Sequence, residues 1–234
     1  MKTAYGSISG SVHKRLEYNN QDFVMVTQNE DCIIGLIADG CGSGSNSEVG
    51  AQLSLNFISK WLQENSDEND WGVHLKKDIQ NYSLALSKTH SSEPRQFIKD
   101  YLLYTILGII VRDDIITVFS FGDGVIIMGN EIKIIDQSNR PKYINNELLG
   151  DEGGSFEFYD FGLKDQILVL DSDGLLDLID GIGKGLVDEY RTLDDFTEDN
   201  RHFTNPVHLP KLLQKYSNTG QIKDDCSVII LKIT

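Results

Sequence analysis

Cys32-Ile33-Ile34-Gly35-Leu36-Ile37-Ala38-Asp39-Gly40 is the stretch on which the fold turns. An unbroken apolar run of this length reads as a buried strand, and it ends in a carboxylate. A Gly/Ser loop follows over 40–46. Val49, Leu53, Leu55, Phe57, Ile58, Trp61 and Leu62 then recur at helical spacing, with Ser47 placed to cap the helix and Glu48 in its first turn.

The same punctuation recurs outward from this segment. Asp22 precedes Phe23–Val26, Asp171 and Asp173 follow Ile167–Leu170, and Asp224 and Asp225 precede Ser227–Leu231. Neighbouring strands of an antiparallel sheet run in opposite directions, so an Asp ending one strand and an Asp starting the next reach the same edge. Carboxylates gathered there repel one another unless a cation neutralises them. An all-oxygen donor set of this kind suits Mg²⁺ or Mn²⁺.

Elsewhere, residues 3–13 alternate loosely and read as a strand, and a second amphipathic helix is expected over about 71–88. From Tyr101 the texture is apolar and β-branched: Leu102–Val111, Ile115–Phe121, Val125–Met128, Ile132–Ile135, Phe156–Phe161 and Gln166–Leu170. Asp113-Asp114 and Gly129-Asn130-Glu131 suit tight hairpins. Leu175–Ile179, Leu186–Leu193 and Val207–Tyr216 read as helices, and Cys226–Ile233 as a closing strand. Strands in a block, with helices in two groups, predict an α+β fold rather than a βαβ series. Residues 180–205 read as a flap, and 1–234 as a single domain.

The net charge of −15 over 234 residues disfavours nucleic acid and anionic membrane as partners. No apolar run approaches the roughly 18–20 residues of a membrane span, and the N-terminus turns polar at once, so a cytoplasmic protein is expected. Cys32, Cys41 and Cys226 form no CxxC pair and indicate neither a disulfide framework nor a zinc knuckle. None has an arginine six positions on, as a cysteine-dependent phosphatase requires; Ala38, Ser47 and Lys232 stand there.

The order of motifs resembles the metal-dependent protein phosphatases, the type 2C or PPM family. Ala38-Asp39-Gly40-Cys41-Gly42 and Ser47-Glu48-Val49-Gly50-Ala51 are similar to the family's first metal motif. Gly122-Asp123-Gly124, Ser172-Asp173-Gly174-Leu175-Leu176-Asp177 and Asp224-Asp225-Cys226-Ser227-Val228 resemble its later ones. Ser11-Val12-His13 with Gln21-Asp22 is similar to a short bacterial branch.

The resemblance implies a four-layer αββα sandwich, with two antiparallel sheets flanked by helix pairs. It implies hydrolysis of phosphoserine and phosphothreonine by a water shared between two Mn²⁺ or Mg²⁺ ions. Asp39 would bridge both ions with Gly40 ligating through its carbonyl, Asp22 would join them, and Asp173 and Asp224 would hold the second ion. Asp123 and Asp177 match positions tied to a third, weaker ion. The implied partners are Ser/Thr-phosphorylated proteins, with a cognate protein kinase or its substrates among them.

Three departures stand out. Gln21 replaces the usual Glu, Glu17 stands where a phosphate-holding Arg is usual, and Cys41 takes a position that is His or Met elsewhere. His13, Lys14 and Arg15 are the candidates for the missing phosphate contact, His13 and Arg15 foremost. Two alternatives remain open from the residues: a catalytically weak module that binds metal or phosphoproteins, and a haloacid-dehalogenase-type phosphohydrolase using Asp171 in Asp171-Ser172-Asp173-Gly174.

Overall fold

The structure, a computed structural model, describes residues 1–66, 70–113, 115–129, 131–137, 140–161, 167–183 and 194–233. In β3 (Cys32–Asp39) every residue from Cys32 to Ala38 is buried. Successive side chains of a strand point to opposite faces, and here both faces are covered. Ile34, Leu36 and Ala38 pack with Leu55, Ile58 and Leu62 of α2 (Ser47–Asn65) and with Leu75 and Ile79 of α3 (Trp71–His90). Ile33 and Ile37 face the other way and pack with Leu168, Leu170, Ile229 and Leu231. A strand covered on both sides has no polar alternation, which is why the run is continuous.

β3 lies within a five-stranded antiparallel sheet ordered β2 (Asp22–Gln28), β3, β4 (Ile106–Arg112), β5 (Ile115–Phe121) and β8 (Glu157–Phe161). The second five-stranded sheet runs β1 (Lys2–Ile8), β10 (Cys226–Lys232), β9 (Ile167–Asp171), β6 (Gly124–Met128) and β7 (Glu131–Ile135), again antiparallel throughout. Its outer face, through Val169, Val228 and Ile230, packs on Leu178 of α6 (Leu176–Gly183) and on Leu209, Leu213 and Tyr216 of α7 (His208–Asn218). The layers are therefore helix, sheet, sheet, helix: the expected αββα sandwich. The antiparallel pairing of β9 with both β10 and β6 leaves no place for the parallel core that a haloacid-dehalogenase reading of Asp171 requires.

Local readings differ in three places. β1 ends at Ile8, and Ser11–Leu16 forms a short helix, α1, instead of extending the strand. The turn is forced at Gly10, where a Cβ would collide with the Lys223 and Asp224 carbonyls. Ser11 and Val12 N–H groups donate to Ile222 and Lys223 carbonyls at 3.1 and 3.0 Å. Asn46, not Ser47, occupies the cap position of α2, and Ser47 is buried in its first turn. Helix α4 (Pro94–Tyr101) was not foreseen; it buries only Ile98, too little for an apolar period to show. Leu186–Leu193 and residues 184–193 of the expected flap lie outside the described residues; within 194–205, Phe196 and His202 are buried. A last short helix, α5 (Asn146–Leu149), leads into β8. No helix among the described residues is long and apolar enough to cross a membrane.

Candidate metal centre

Strand parity decides which carboxylates converge. On β3, the face shared by Ile33 and Ile37 continues to Asp39, the face toward the other sheet. On β2, Val24 and Val26 line the same inter-sheet cluster, so Asp22 falls on that face too. The register pairs Asp22 directly with Asp39. From the opposite sheet, Ser172 follows β9 and its hydroxyl donates to Asp22 Oδ2 at 2.7 Å. Asp123 enters from the turn between β5 and β6, and Val125, two residues on, pairs with Asp171. Each sheet thus contributes part of one acidic cluster at the end of the sandwich.

Asp171 is different. Leu168 and Leu170 face the inter-sheet cluster, so Asp171 faces the helices. Its Oδ2 accepts from the Leu175 N–H at 3.0 Å and its Oδ1 from the Cys226 thiol at 3.2 Å. It fastens the turn that carries Asp173. Burial raises its carboxyl to about 7.

The cluster's electrostatics are adverse throughout. Burial raises Asp22 well above the carboxylate range; Asp225, Asp173 and Asp171 raise it further, while the Ser172 hydroxyl lowers it. Burial raises Asp39 likewise, followed by the charges of Asp22, Asp173, Asp123 and Asp224. Asp173 is raised to about 8 by burial, then by Asp171 and Asp224. Burial, then Asp136, raises Asp123 against its own backbone hydrogen bond. Among the described residues, no lysine or arginine pairs with Asp22, Asp39 or Asp173. Buried and half-buried carboxylates that share one end without a counter-charge fit a divalent cation bound by oxygen.

Asp224 and Asp225 separate cleanly. Asp225 is buried: its Oδ1 accepts from Gly10 N–H at 3.0 Å, and its Oδ2 accepts from Gln21 N–H at 2.6 Å and lies 2.8 Å from His13 Nδ1. Asp224 is exposed and faces a cleft of about 380 Å³ with Val12, His13, Asp173, Leu176, Asp177 and Lys223. Of the two, only Asp224 keeps its carboxylate open to a ligand. Asp177 is turned onto Lys223, accepting from its backbone N–H at 2.7 Å and from Nζ at 3.0 Å. Gly40 sits where a Cβ would meet the Gln21 carbonyl and the Ser47 hydroxyl, both at 2.7 Å.

His13 belongs to α1, not to a strand, and lines the cleft, its Nε2 3.6 Å from Asp224 Oδ1. Arg15 is exposed in the last turn of α1, outside the cleft lining. Lys14 is drawn away to Ser217 Oγ at 2.7 Å. Gln21 directs its amide N–H groups to Ser47 Oγ at 3.0 Å and to the Cys41 and Gly44 carbonyls at 3.4 Å, holding the loop after β3. Cys41 is buried, its sulfur 3.2 Å from Ser43 Oγ. Sequence reasoning missed Ser172, although it stands inside a quoted motif, because nothing local shows that a hydroxyl there reaches the other sheet.

Comparison with known proteins agrees with this architecture. The family described as "Protein phosphatase 2C" matches residues 9–216. No curated protein matches by sequence. Among solved structures, a bacterial serine phosphatase superposes with a TM-score of 0.67 at 16% identity, covering 100% of this chain and 98% of that one. The serine/threonine phosphatase Stp1 from Staphylococcus aureus gives 0.62 at 15% identity, over 100% and 96%. The catalytic domain of serine/threonine protein phosphatase PstP in complex with two manganese ions gives 0.62 at 16%, over 98% and 96%.

Proposed function

We infer the function from one premise: the chain belongs to the protein phosphatase 2C family. In this reading it is a Mn²⁺- or Mg²⁺-dependent hydrolase of phosphoserine and phosphothreonine in proteins. It would work in the cytoplasm against a protein kinase or that kinase's substrates. The observation that carries the reading is the trio of buried Asp22 and half-buried Asp39 and Asp173. Burial and mutual repulsion raise all three carboxyls, and no basic side chain among the described residues answers them.

Asp22, Asp39, the Gly40 carbonyl, Asp173 and Asp224 would hold two cations, and Asp123 and Asp177 a third. Asp177 would first have to release Lys223. Cations bound there supply a water acidified toward a pKa of about 7 and positive charge for the phosphate oxygens. The protein's own part is positional. Ser172 orients Asp22, Asp171 holds the turn bearing Asp173, and Asp225 pins the start of β2 and the turn at Gly10 beside Asp224. With Glu17 where an arginine is usual, His13 on the cleft wall is the side chain placed to meet the phosphate.

The experiment is hydrolysis of a phosphothreonine peptide by metal-stripped protein, with and without Mn²⁺, for wild type and Asp39→Asn. Mn²⁺-dependent turnover that disappears in the variant supports the reading. Mn²⁺ binding without turnover overturns it in favour of a module that binds metal or phosphoproteins.

A further inference from the structure

On the far side of the second sheet from the acidic cluster, between the Asn200–Phe203 turn and the start of α7, lies a second group of potential ligands. Asp199, His202 and His208 each present one donor atom, all within 4.8 Å of one another. They share no residue with the carboxylate centre. The two imidazole rings lie 4.9 Å apart.

His202 supplies the independent observation. It is 2% exposed. Its Nε2 lies 2.6 Å from the Asp195 carbonyl, which can only accept, so Nε2 carries the hydrogen. Asp195 is itself fixed by the Tyr216 hydroxyl at 2.6 Å. The remaining atom, Nδ1, is buried and has no hydrogen-bond partner. A proton there would be an unpartnered buried charge, and a bare lone pair there is an orphaned acceptor; both are costly. A metal-ligating histidine typically donates its other ring N–H to a backbone carbonyl or carboxylate, which orients the ring. His202 is held in that manner with nothing at its other nitrogen.

Around it, Asp199 accepts at Oδ1 from the Arg201 N–H and Nε, each at 2.9 Å, and at Oδ2 from Arg201 Nε at 2.9 Å and Nη2 at 2.5 Å; His208 Nε2 also donates to Oδ2 at 2.9 Å. The Arg201 side chain is exposed and can swing away into solvent.

We propose that Asp199, His202 and His208 form a site for a late first-row divalent cation, Zn²⁺ in the first instance, that fastens the 199–208 segment to α7. Two imidazoles with one carboxylate favour Zn²⁺ over Mg²⁺ or Mn²⁺, which prefer all-oxygen sets. The cation would take the place of the His208 proton and displace the Arg201 guanidinium, its fourth position filled by water. Its role is structural: none of the three residues lines the acidic cleft, and His202 borders instead a separate cavity of about 410 Å³ against β1.

The test is Zn²⁺ titration of the full chain by equilibrium dialysis in excess Mg²⁺, for wild type, His208→Gln, Asp199→Asn and Arg201→Ala. Wild type is expected to bind one Zn²⁺ more than His208→Gln. Asp199→Asn should weaken that ion by at least about 100-fold, and Arg201→Ala should tighten it by removing a competitor. Co²⁺ in place of Zn²⁺ should give the intense visible bands of a four-coordinate site in wild type and lose them in His208→Gln. His208 is partly exposed, so its variant is expected to fold. Equal Zn²⁺ stoichiometry and affinity in wild type and His208→Gln, or Co²⁺ spectra that do not distinguish them, would overturn the proposal.

Discussion

The Ser172 hydroxyl donates to Asp22 Oδ2 at 2.7 Å, and its own oxygen accepts from the Ser227 N–H at 3.2 Å. One side chain therefore links β2 of one sheet to β10 of the other at the acidic centre. Ser172→Ala should leave the sandwich folded and weaken Mn²⁺ binding by about 10- to 100-fold, the usual cost of losing a group that orients a ligand. Isothermal titration with Mn²⁺ measures this directly; unchanged affinity would show that the hydroxyl does not orient Asp22.

Asp39 and Asp171 end strands with the same sequence pattern but point to opposite faces. On the proposed reading, Asp39→Asn should reduce Mn²⁺-dependent turnover of a phosphothreonine peptide by at least about 100-fold, since it would remove a ligand and not only its support. Asp171→Asn should keep most of the turnover and change the melting temperature instead, because its contacts are to the Leu175 N–H and the Cys226 thiol. The reverse result would restore Asp171 as a nucleophile.

The raised carboxyls set a pH dependence in the absence of divalent cations. Asp171 and Asp173 move from an ordinary 3.8 to about 7 and about 8. Between those values the folded state binds more protons than the unfolded chain, so the free energy of unfolding falls as pH rises. With a chelator present, the melting temperature should decline from pH 5 to pH 8, and Asp173→Asn should flatten the slope. A melting temperature that climbs over this interval would contradict the account.

Gln21 is an architectural donor in this fold. Gln21→Glu replaces an N–H donor with an acceptor facing the Cys41 and Gly44 carbonyls. The expected result is a loss of about 1–3 kcal/mol of stability in chelator, measured by urea unfolding. A variant as stable as wild type would show that the amide contacts at 3.4 Å carry no weight.

The acidic pattern was legible because Asp residues bounding buried strands are local signals. The partner of each was not. Asp224 and Asp225 are the same residue type in succession, and only the packing of Gly10 and the Gln21 N–H against the second reveals which is a structural acceptor. Asp171 reads like a ligand until the parity of Leu168 and Leu170 turns it toward the helices. α1 was lost to a strand reading because what bends the chain at Gly10 is the 222–224 backbone, more than two hundred residues away. The Asp199–His202–His208 group escaped notice because its spacing matches no familiar ligand pattern and its histidines lie beyond an acidic, Gly-rich stretch.

The centre has no home in either sheet alone. Asp22 and Asp39 come with one, Asp173 and Asp224 with the other, Asp123 with the turn that joins them, and the two groups meet only when the sandwich closes. On the proposed reading, a cation held by them would act as a clasp whose grip adds directly to the closed state. The centre is then the feature that depends most on the two sheets staying together. Under gentle denaturation it should be the earliest feature to fail, so catalytic silence would precede any loss of strand signal and would serve as the most sensitive gauge of whether the two halves remain together.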